Sequence, residues 1–599
     1  MEEKASRSRD LEIAATKQKT NGGPIMKQCL KRLSLLTILL LGLMLVLWQN
    51  PPLLVRAERP AANGNQVSLV GRVTDSQEEP VRDAEITLII NGNQETLIST
   101  TSQPDGAFVL DVPDEIVGDI ETLALEISRP HFASQVLEIE SDGIARLNRG
   151  ESLRLPDLEL ARRITAGFWV ATFTFIAILV IIALEKLHNT MAALLGVAVV
   201  LGTTFVGGAI NPDLFIFDFE RALEYVNFDV VFLVMGMMIV ISVIEETGIF
   251  QWLAYQSYKL SGGRAWLLVT ILMLITSIAS ALLDNVTTML LMTPMTIQIA
   301  IALGVNPLTL LIPEVLASNI GGISTLIGTP TNILIGSYAG LTFTDFLTKL
   351  TPGVLLAQAA LTVYVLIRYR DQFLGKESGL SEAMLNRLRE SGRITKPDKL
   401  RKSGIIFGVM LILFITGESI HLVPAVTAII GAVAMLLWVS PDIESMLKVV
   451  DWTTLMFFIS LFIVVGAIQE VGLISIIAAT ISRMVGGNLT AAILVLVWSA
   501  AFLSGIIANI PFTAAMLPVV GFLTRTIPGA SSQVLFYALS IGAAMGGNSS
   551  LIGASANLVM ASIAEQAGYR ITYKEFLKAG MPAMIITVAV GTVWLFIRF

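Results

Sequence analysis

Residues 282–294 read LLDNVTTMLLMTP, and they set Asp284, Asn285, Thr287 and Thr288 in the middle of a long apolar run. A hydrocarbon layer offers such groups no water, so they need protein partners, trapped water or a ligand. A second stretch, ANIPFTAAMLP at 508–518, repeats the pattern when Asn509 is laid on Asn285 and Pro518 on Pro294. Two related polar tips in apolar surroundings predict two halves of one ion and substrate site in a membrane protein.

The bulk of the chain agrees. Of 599 residues, 54% are hydrophobic and only 15% charged, and the mean hydropathy is +0.73. This composition is that of an integral membrane protein. The net charge of −7 is spread along the chain, which excludes a nucleic-acid partner. A single cysteine, Cys29, leaves no intrachain disulfide. Three histidines, His131, His188 and His421, are spaced too widely for a zinc centre. No GxxxxGK[ST] sequence occurs, so no ATP hydrolysis is expected of this chain and no cofactor is called for.

Residues 1–57 read as a tail followed by a signal peptide or anchor. Lys27, Lys31 and Arg32 precede an apolar run from Leu33 to Trp48, short for a span. Val55-Arg56-Ala57 suits cleavage after Ala57, an uncleaved anchor is the alternative, and Met26 fits a start site. Residues 58–160 change character. VSLVGRVTD, AEITLIING, TLISTTS, GAFVLDV and TLALEISR are short β-rich runs separated by turn residues, and they predict a small antiparallel β-sandwich. The pattern GRVTD…PVRDAEITL…TTSQPDGAFVLDVP resembles carboxypeptidase-regulatory-like sandwiches. The resemblance implies a turn at Pro104-Asp105-Gly106 and re-entry into a strand at Phe108.

From Ile164 onward the chain alternates apolar segments and short loops, predicting an all-α polytopic membrane protein. Ten basic residues between Arg368 and Lys402 place that loop in the cytoplasm. The acidic loop at 211–228 and the β domain then lie outside, in the cell (inner or plasma) membrane. These assignments close if 265–303 and 490–524 are re-entrant hairpins. They give two inverted repeats, 161–370 and 404–599, joined by a basic linker at 371–403. The halves match in detail. Glu246-Thr247-Gly248 echoes Glu470-Val471-Gly472, and SNIGGISTLIGTPTN at 318–332 echoes AMGGNSSLIGASAN at 544–557.

The chemistry expected follows from the residue types. Gly321, Gly322 and Ser324, and their partners Gly546, Gly547, Asn548 and Ser549, predict helices broken in mid-membrane, whose freed carbonyls and amides bind ions. Asn332 and Asn557 lie beyond each break. Thr329-Pro330 is expected to strengthen the first break, and Pro511 to keep the second tip from forming a regular helix. Asn285, Thr287, Thr288, Asn509 and Thr513 supply hard oxygens suited to sodium. Asp284 is the one carboxylate in either tip. It suits charge neutralisation or proton coupling, and equally a helix cap. Glu314, behind Pro313, is a second proton-coupling candidate.

At these residues the chain resembles the ion transporter superfamily. That group includes divalent anion–sodium symporters, citrate-transporter-like proteins, arsenical pump membrane proteins and one class of sodium/proton antiporter. LDNVTTMLLMTP and NIPFTAAMLP are most similar to the branch containing the melanosomal P protein. The resemblance implies a homodimer working by an elevator-like motion, with sodium or a proton as coupling ion and a small ion as substrate. Arsenite efflux, di- or tricarboxylate symport and a non-transporting receptor are the alternatives. One departure stands out: the branch commonly has Asp-Asn in both tips, and here Ala508 precedes Asn509.

Overall fold

The computed structural model describes residues 67–76, 79–91, 93–112, 120–184, 186–373, 388–390, 392–439 and 443–599. The signal or anchor segment and residues 374–387 of the basic loop lie outside the described residues. The chain divides into a β-rich unit, drawn from residues up to 159, and a helical unit from 160 onward that also takes in Asp75–Gln77 and Ser128–Ser134.

The β-rich unit holds β1 (Val67–Asp75), β2 (Glu85–Ile90), β3 (Asn93–Thr101), β4 (Ala107–Val112), β5 (Leu123–Ser128), β6 (Gln135–Glu138), a short helix α1 (Ser141–Asn148) and β7 (Leu153–Leu160). They form a three-stranded sheet ordered β4-β1-β7 and a four-stranded sheet ordered β3-β2-β5-β6. β1 and β4 pair antiparallel with Leu69 opposite Leu110. The alternation of these strands buries Leu69, Ile86, Leu88, Phe108, Leu110, Leu125 and Ile127. The turn into β4 falls at Gly106, whose φ is +79°, and a Cβ there would lie 2.4 Å from the Val73 carbonyl oxygen. Only glycine meets both conditions. Two strands carry no readable signal: β6 is mostly exposed, and Pro156 interrupts the alternation of β7.

The helical unit begins with α2 (Ala166–Ala183), α3 (Asn189–Gly202), α4 (Phe228–Glu245), α5 (Ile249–Ser261) and α6 (Ala265–Leu282). It continues with α7 (Asn285–Ala302), α8 (Leu308–Gly321), α9 (Pro330–Ala339) and α10 (Thr351–Arg368). The same nine elements then recur as α11 (Pro397–Thr416), α12 (Pro424–Trp438), α13 (Trp452–Glu470), α14 (Leu473–Val485) and α15 (Leu489–Ser504). The second set ends with α16 (Asn509–Thr526), α17 (Val534–Gly546), α18 (Ser555–Gln566) and α19 (Tyr573–Arg598). Nine helices among the described residues are long and apolar enough to cross a membrane, and 18 residues rise about 27 Å. The chain is a multi-pass membrane protein. α5 and α14 are shorter helices, and each starts on a left-handed glycine, Gly248 or Gly472.

The packing exchanges the two halves. α4 lies on α12 while α13 lies on α3, α7 lies on α18 while α16 lies on α9, and α10 meets α19 across the middle. These reciprocal pairs are the contacts of two inverted repeats related by a pseudo-two-fold. Small residues let helices approach closely in both halves. A Cβ on Gly196 would strike Ile178 of α2, and one on Gly431 would strike Met410 of α11.

Candidate functional site

Each repeat folds a hairpin, α6–α7 or α15–α16, against a helix that breaks, α8–α9 or α17–α18. Two hydroxyl bonds fix the register identically in both. Ser280 Oγ donates to the Ser318 carbonyl at 2.8 Å and Ser504 Oγ to the Ala543 carbonyl at 2.6 Å. Thr325 Oγ1 donates to the Ala281 carbonyl, and Ser550 Oγ to the Gly505 carbonyl at 2.5 Å. The turn of each hairpin therefore rests directly on the break.

The glycines act differently from the expectation. Gly321 and Gly322 keep helical angles, with φ −59° and −58°, and the chain departs from helix only at Thr325, with φ −136° and ψ 164°. Their value is proximity. A Cβ on Gly321 would lie 2.3 Å from the Ser277 carbonyl oxygen, and one on Gly546 2.5 Å from that of Ala501. Across each break the backbone folds on itself: a Cβ on Gly328 would be 2.4 Å from Gly322 O, and one on Gly553 2.7 Å from Gly547 O. The prolines also start helices here. Pro330 opens α9 behind the Thr329 cap, and Pro511 sits in the first turn of α16, where its missing N–H has no partner to lose.

The freed carbonyls are held by asparagine. Asn332 Nδ2 donates to Gly322 O, Ile323 O and Thr325 O at 3.3, 3.1 and 2.8 Å. Asn557 Nδ2 donates to Gly547 O and Ser550 O at 2.8 and 2.9 Å. A buried chain of amides then joins the halves. Asn285 Nδ2 donates to Asn319 Oδ1 at 2.9 Å. Asn319 Nδ2 donates to Asn548 Oδ1 and Asn557 Oδ1, each at 2.9 Å. Ser540 Oγ donates to Asn332 Oδ1 at 2.6 Å, again across repeats.

The tips differ. Asp284 caps α7: its Oδ1 accepts from Thr287 N at 2.9 Å and its Oδ2 from Thr287 Oγ1 at 2.6 Å. Thr288 Oγ1 donates to the Asp284 carbonyl at 2.6 Å, so its hydroxyl is spent within the turn. Ala508 gives α16 no side-chain cap. Asn509 and Thr513 are buried at 5% and 0% exposure, and Thr513 Oγ1 has no hydrogen-bond partner among the described residues. Ser549 Oγ donates to Gly546 O at 2.8 Å, while the Ser324 carbonyl accepts from Thr351 Oγ1 at 3.0 Å. Among the predicted residues, Asn285, Asn548 and Asn557 meet in one network. Asn509 and Glu314 have no bond to it. Asn319, Ser280, Ser504 and Ser540 were missed. Asn319 lies inside the quoted SNIGG motif, but its counterpart is Ala544, so a search for matched residues passes over it.

At the ends of α4 and α13, two glutamates hold the chain entering each repeat. Glu246, after α4, accepts from Lys396 and Lys399 at 2.9 and 3.1 Å. Glu470, ending α13, accepts from Arg129 at 2.5 Å, from Arg221 at 3.1 Å and from the Tyr225 hydroxyl. Burial works against the Arg221 charge, but Glu470 beside it holds the guanidinium above its ordinary value.

Hairpins seated on broken helices inside a two-fold membrane bundle define a transporter. The chain belongs to the citrate transporter family, which matches residues 179–542. It is 37% identical over 432 residues to an uncharacterized transporter of Mycobacterium bovis, spanning 72% of this chain and 98% of the relative. A 46 kDa membrane protein of Mycobacterium leprae is 34% identical over 431 residues, with 72% and 98% covered. The human P protein is 33% identical over 506 residues, covering 72% of this chain and 59% of the P protein. Among solved structures, the YdaH transporter of Alcanivorax borkumensis is similar at a TM-score of 0.45 and 11% identity, over 72% of this chain and 98% of that one.

Proposed function

We propose that the chain is a secondary active ion transporter, driven by a sodium or proton gradient, with its substrate held between the hairpin tips and the helix breaks. The observation that carries this reading is the buried amide network joining the first tip to both breaks across the pseudo-two-fold. Polar groups in that position suit a ligand that passes between halves. Asp284 gives the first tip a charge for a coupling cation. The second tip is uncharged, and α18 starts on Ala554 with no side-chain cap. Its first-turn amides suit an anion, which favours ion-coupled anion transport over cation/proton antiport. The same proposal takes the basic stretch 368–402 as cytoplasmic, and the working unit as a homodimer moving elevator-fashion.

Flux into liposomes tests it, against a panel of sodium, lithium, arsenite, chloride, citrate and succinate. At least one solute should move only when a sodium or pH gradient is imposed. Movement of every solute at gradient-independent rates would sink the coupling. Asp284→Asn separates coupling from capping, because asparagine caps a helix about as well as aspartate. Its melting midpoint should match the wild type while gradient-driven flux is lost. Asp284→Ala should lose the flux and also about 0.5–2 kcal/mol of stability. Normal flux in the asparagine variant would reduce Asp284 to a cap.

A further inference from the structure

Repeat 1 buries a carboxyl that repeat 2 does without. Glu314 lies in the second turn of α8 and is 0% exposed. Its Oε1 accepts from Thr276 Oγ1 of α6 at 2.9 Å, and the Thr296 hydroxyl of α7 faces the same carboxyl. Three side chains therefore converge from both arms of the hairpin and from the helix that breaks.

The paired serine and threonine bonds set the register between repeats, with Ser280 on Ser504 and Ser318 on Ala543. In that register Thr276, Thr296 and Glu314 fall on Ala500, Val520 and Leu539. The same fold packs this place with apolar side chains, so the polar triad is not needed to build it.

Among the described residues, no lysine, arginine or histidine is bonded to Glu314. On the elements packed against α8, the other titratable side chains have partners elsewhere or stand near helix ends. Asp284 bonds Thr287 and Tyr364 donates to Ala579 O. Arg368 ends α10, Tyr537 is in the first turn of α17, Glu565 is at the end of α18, and the charges of α19 lie in its first turns and at Arg598. An ionised carboxylate taken out of water without a cation costs several kcal/mol. A neutral one needs only an acceptor for its proton, and a threonine hydroxyl oxygen serves. Hard metal cations collect about six or more oxygens, and these three side chains offer too few.

We propose that Glu314, with Thr276 and Thr296, is a proton-binding site carried by repeat 1 alone, holding its proton while the hairpin is seated on α8. When the arms part and admit water, the carboxylic acid gives its proton to that water. The carboxylate left behind is then solvated by the same water and by the two hydroxyls. This deepens the transporter reading and rests on it for the motion that admits water, but not for the proton itself.

Infrared difference spectra of the reconstituted full-length chain read the proton without transport. At neutral pH the wild type should show the carbonyl stretch of a protonated carboxyl. Glu314→Gln, which matches the neutral acid in size, should lose that band, and Asp284→Asn should keep it. Identical bands in the wild type and Glu314→Gln would overturn the proposal, whatever the flux assays give. Glu314→Leu, which copies repeat 2, checks folding and should also lack the band. In flux assays, Glu314→Gln should transport at a rate that no longer varies with pH. An unchanged pH profile alongside a lost band would overturn the release step.

Discussion

Glu470→Ala is expected to lose about 3–5 kcal/mol of stability, because it takes the buried counter-charge from Arg129 and leaves Arg221 with the exposed Glu224. The side chains of Arg129 and Glu470 are 10% and 8% exposed, and that of Arg221 is 14%. Removing the carboxylate also takes the acceptor from Tyr225. The equivalent substitution in the other repeat, Glu246→Ala, should cost no more than about 1 kcal/mol. There the side chains of Glu246, Lys396 and Lys399 are 34%, 47% and 32% exposed, so water screens the pair. Hydrogen bonds from Lys396 and Lys399, opposed by partial burial, hold the Glu246 carboxyl below its ordinary value. Its small contribution is thus present above about pH 4 and fades as the pH falls further. Heating both variants in detergent and following the monodisperse fraction compares them directly. Equal midpoints would show that burial does not decide the effect.

That pair of glutamates marks what a sequence shows and what it hides. The echo of Glu246-Thr247-Gly248 in Glu470-Val471-Gly472 is visible in one dimension, and both glycines have the left-handed φ that such an echo suggests. The partners are not visible. Arg129 and Arg221 lie 341 and 249 residues from Glu470, and no local pattern joins them. The helix breaks divide in the same way. Their places follow from SNIGGIS and AMGGNSS, because small residues recur at matched spacing. Their cause does not, since Gly321 and Gly546 are required by the approach of Ser277 and Ala501 from another helix. Matching the halves finds what the repeats share. It passes over Asn319, Ser540 and Thr276, whose counterparts are Ala544, Val315 and Ala500. The features that make the two halves unequal are therefore the ones a repeat search discards.

Asn319→Leu should consequently be the most damaging change at the site. Leucine keeps the volume but removes one acceptor and the amide that donates twice. The Asn285 amide and the Asn557 carbonyl oxygen then face an apolar side chain at 4% and 0% exposure. Each unsatisfied buried group costs about 1–3 kcal/mol. The cost falls where the first tip meets both breaks, so it disorders the site as well as the fold. A loss near 3 kcal/mol of site order corresponds to roughly a hundredfold in affinity. Asn319→Ser should be milder, because the space left by the shorter side chain is polar and can take a water with several partners. The measurement is flux with a thermal midpoint on the same preparation, for the solute that the liposome panel identifies. Leucine should lower both and serine should recover most of the midpoint. Wild-type flux in the leucine variant would mean that the amide network does not touch the transported ion.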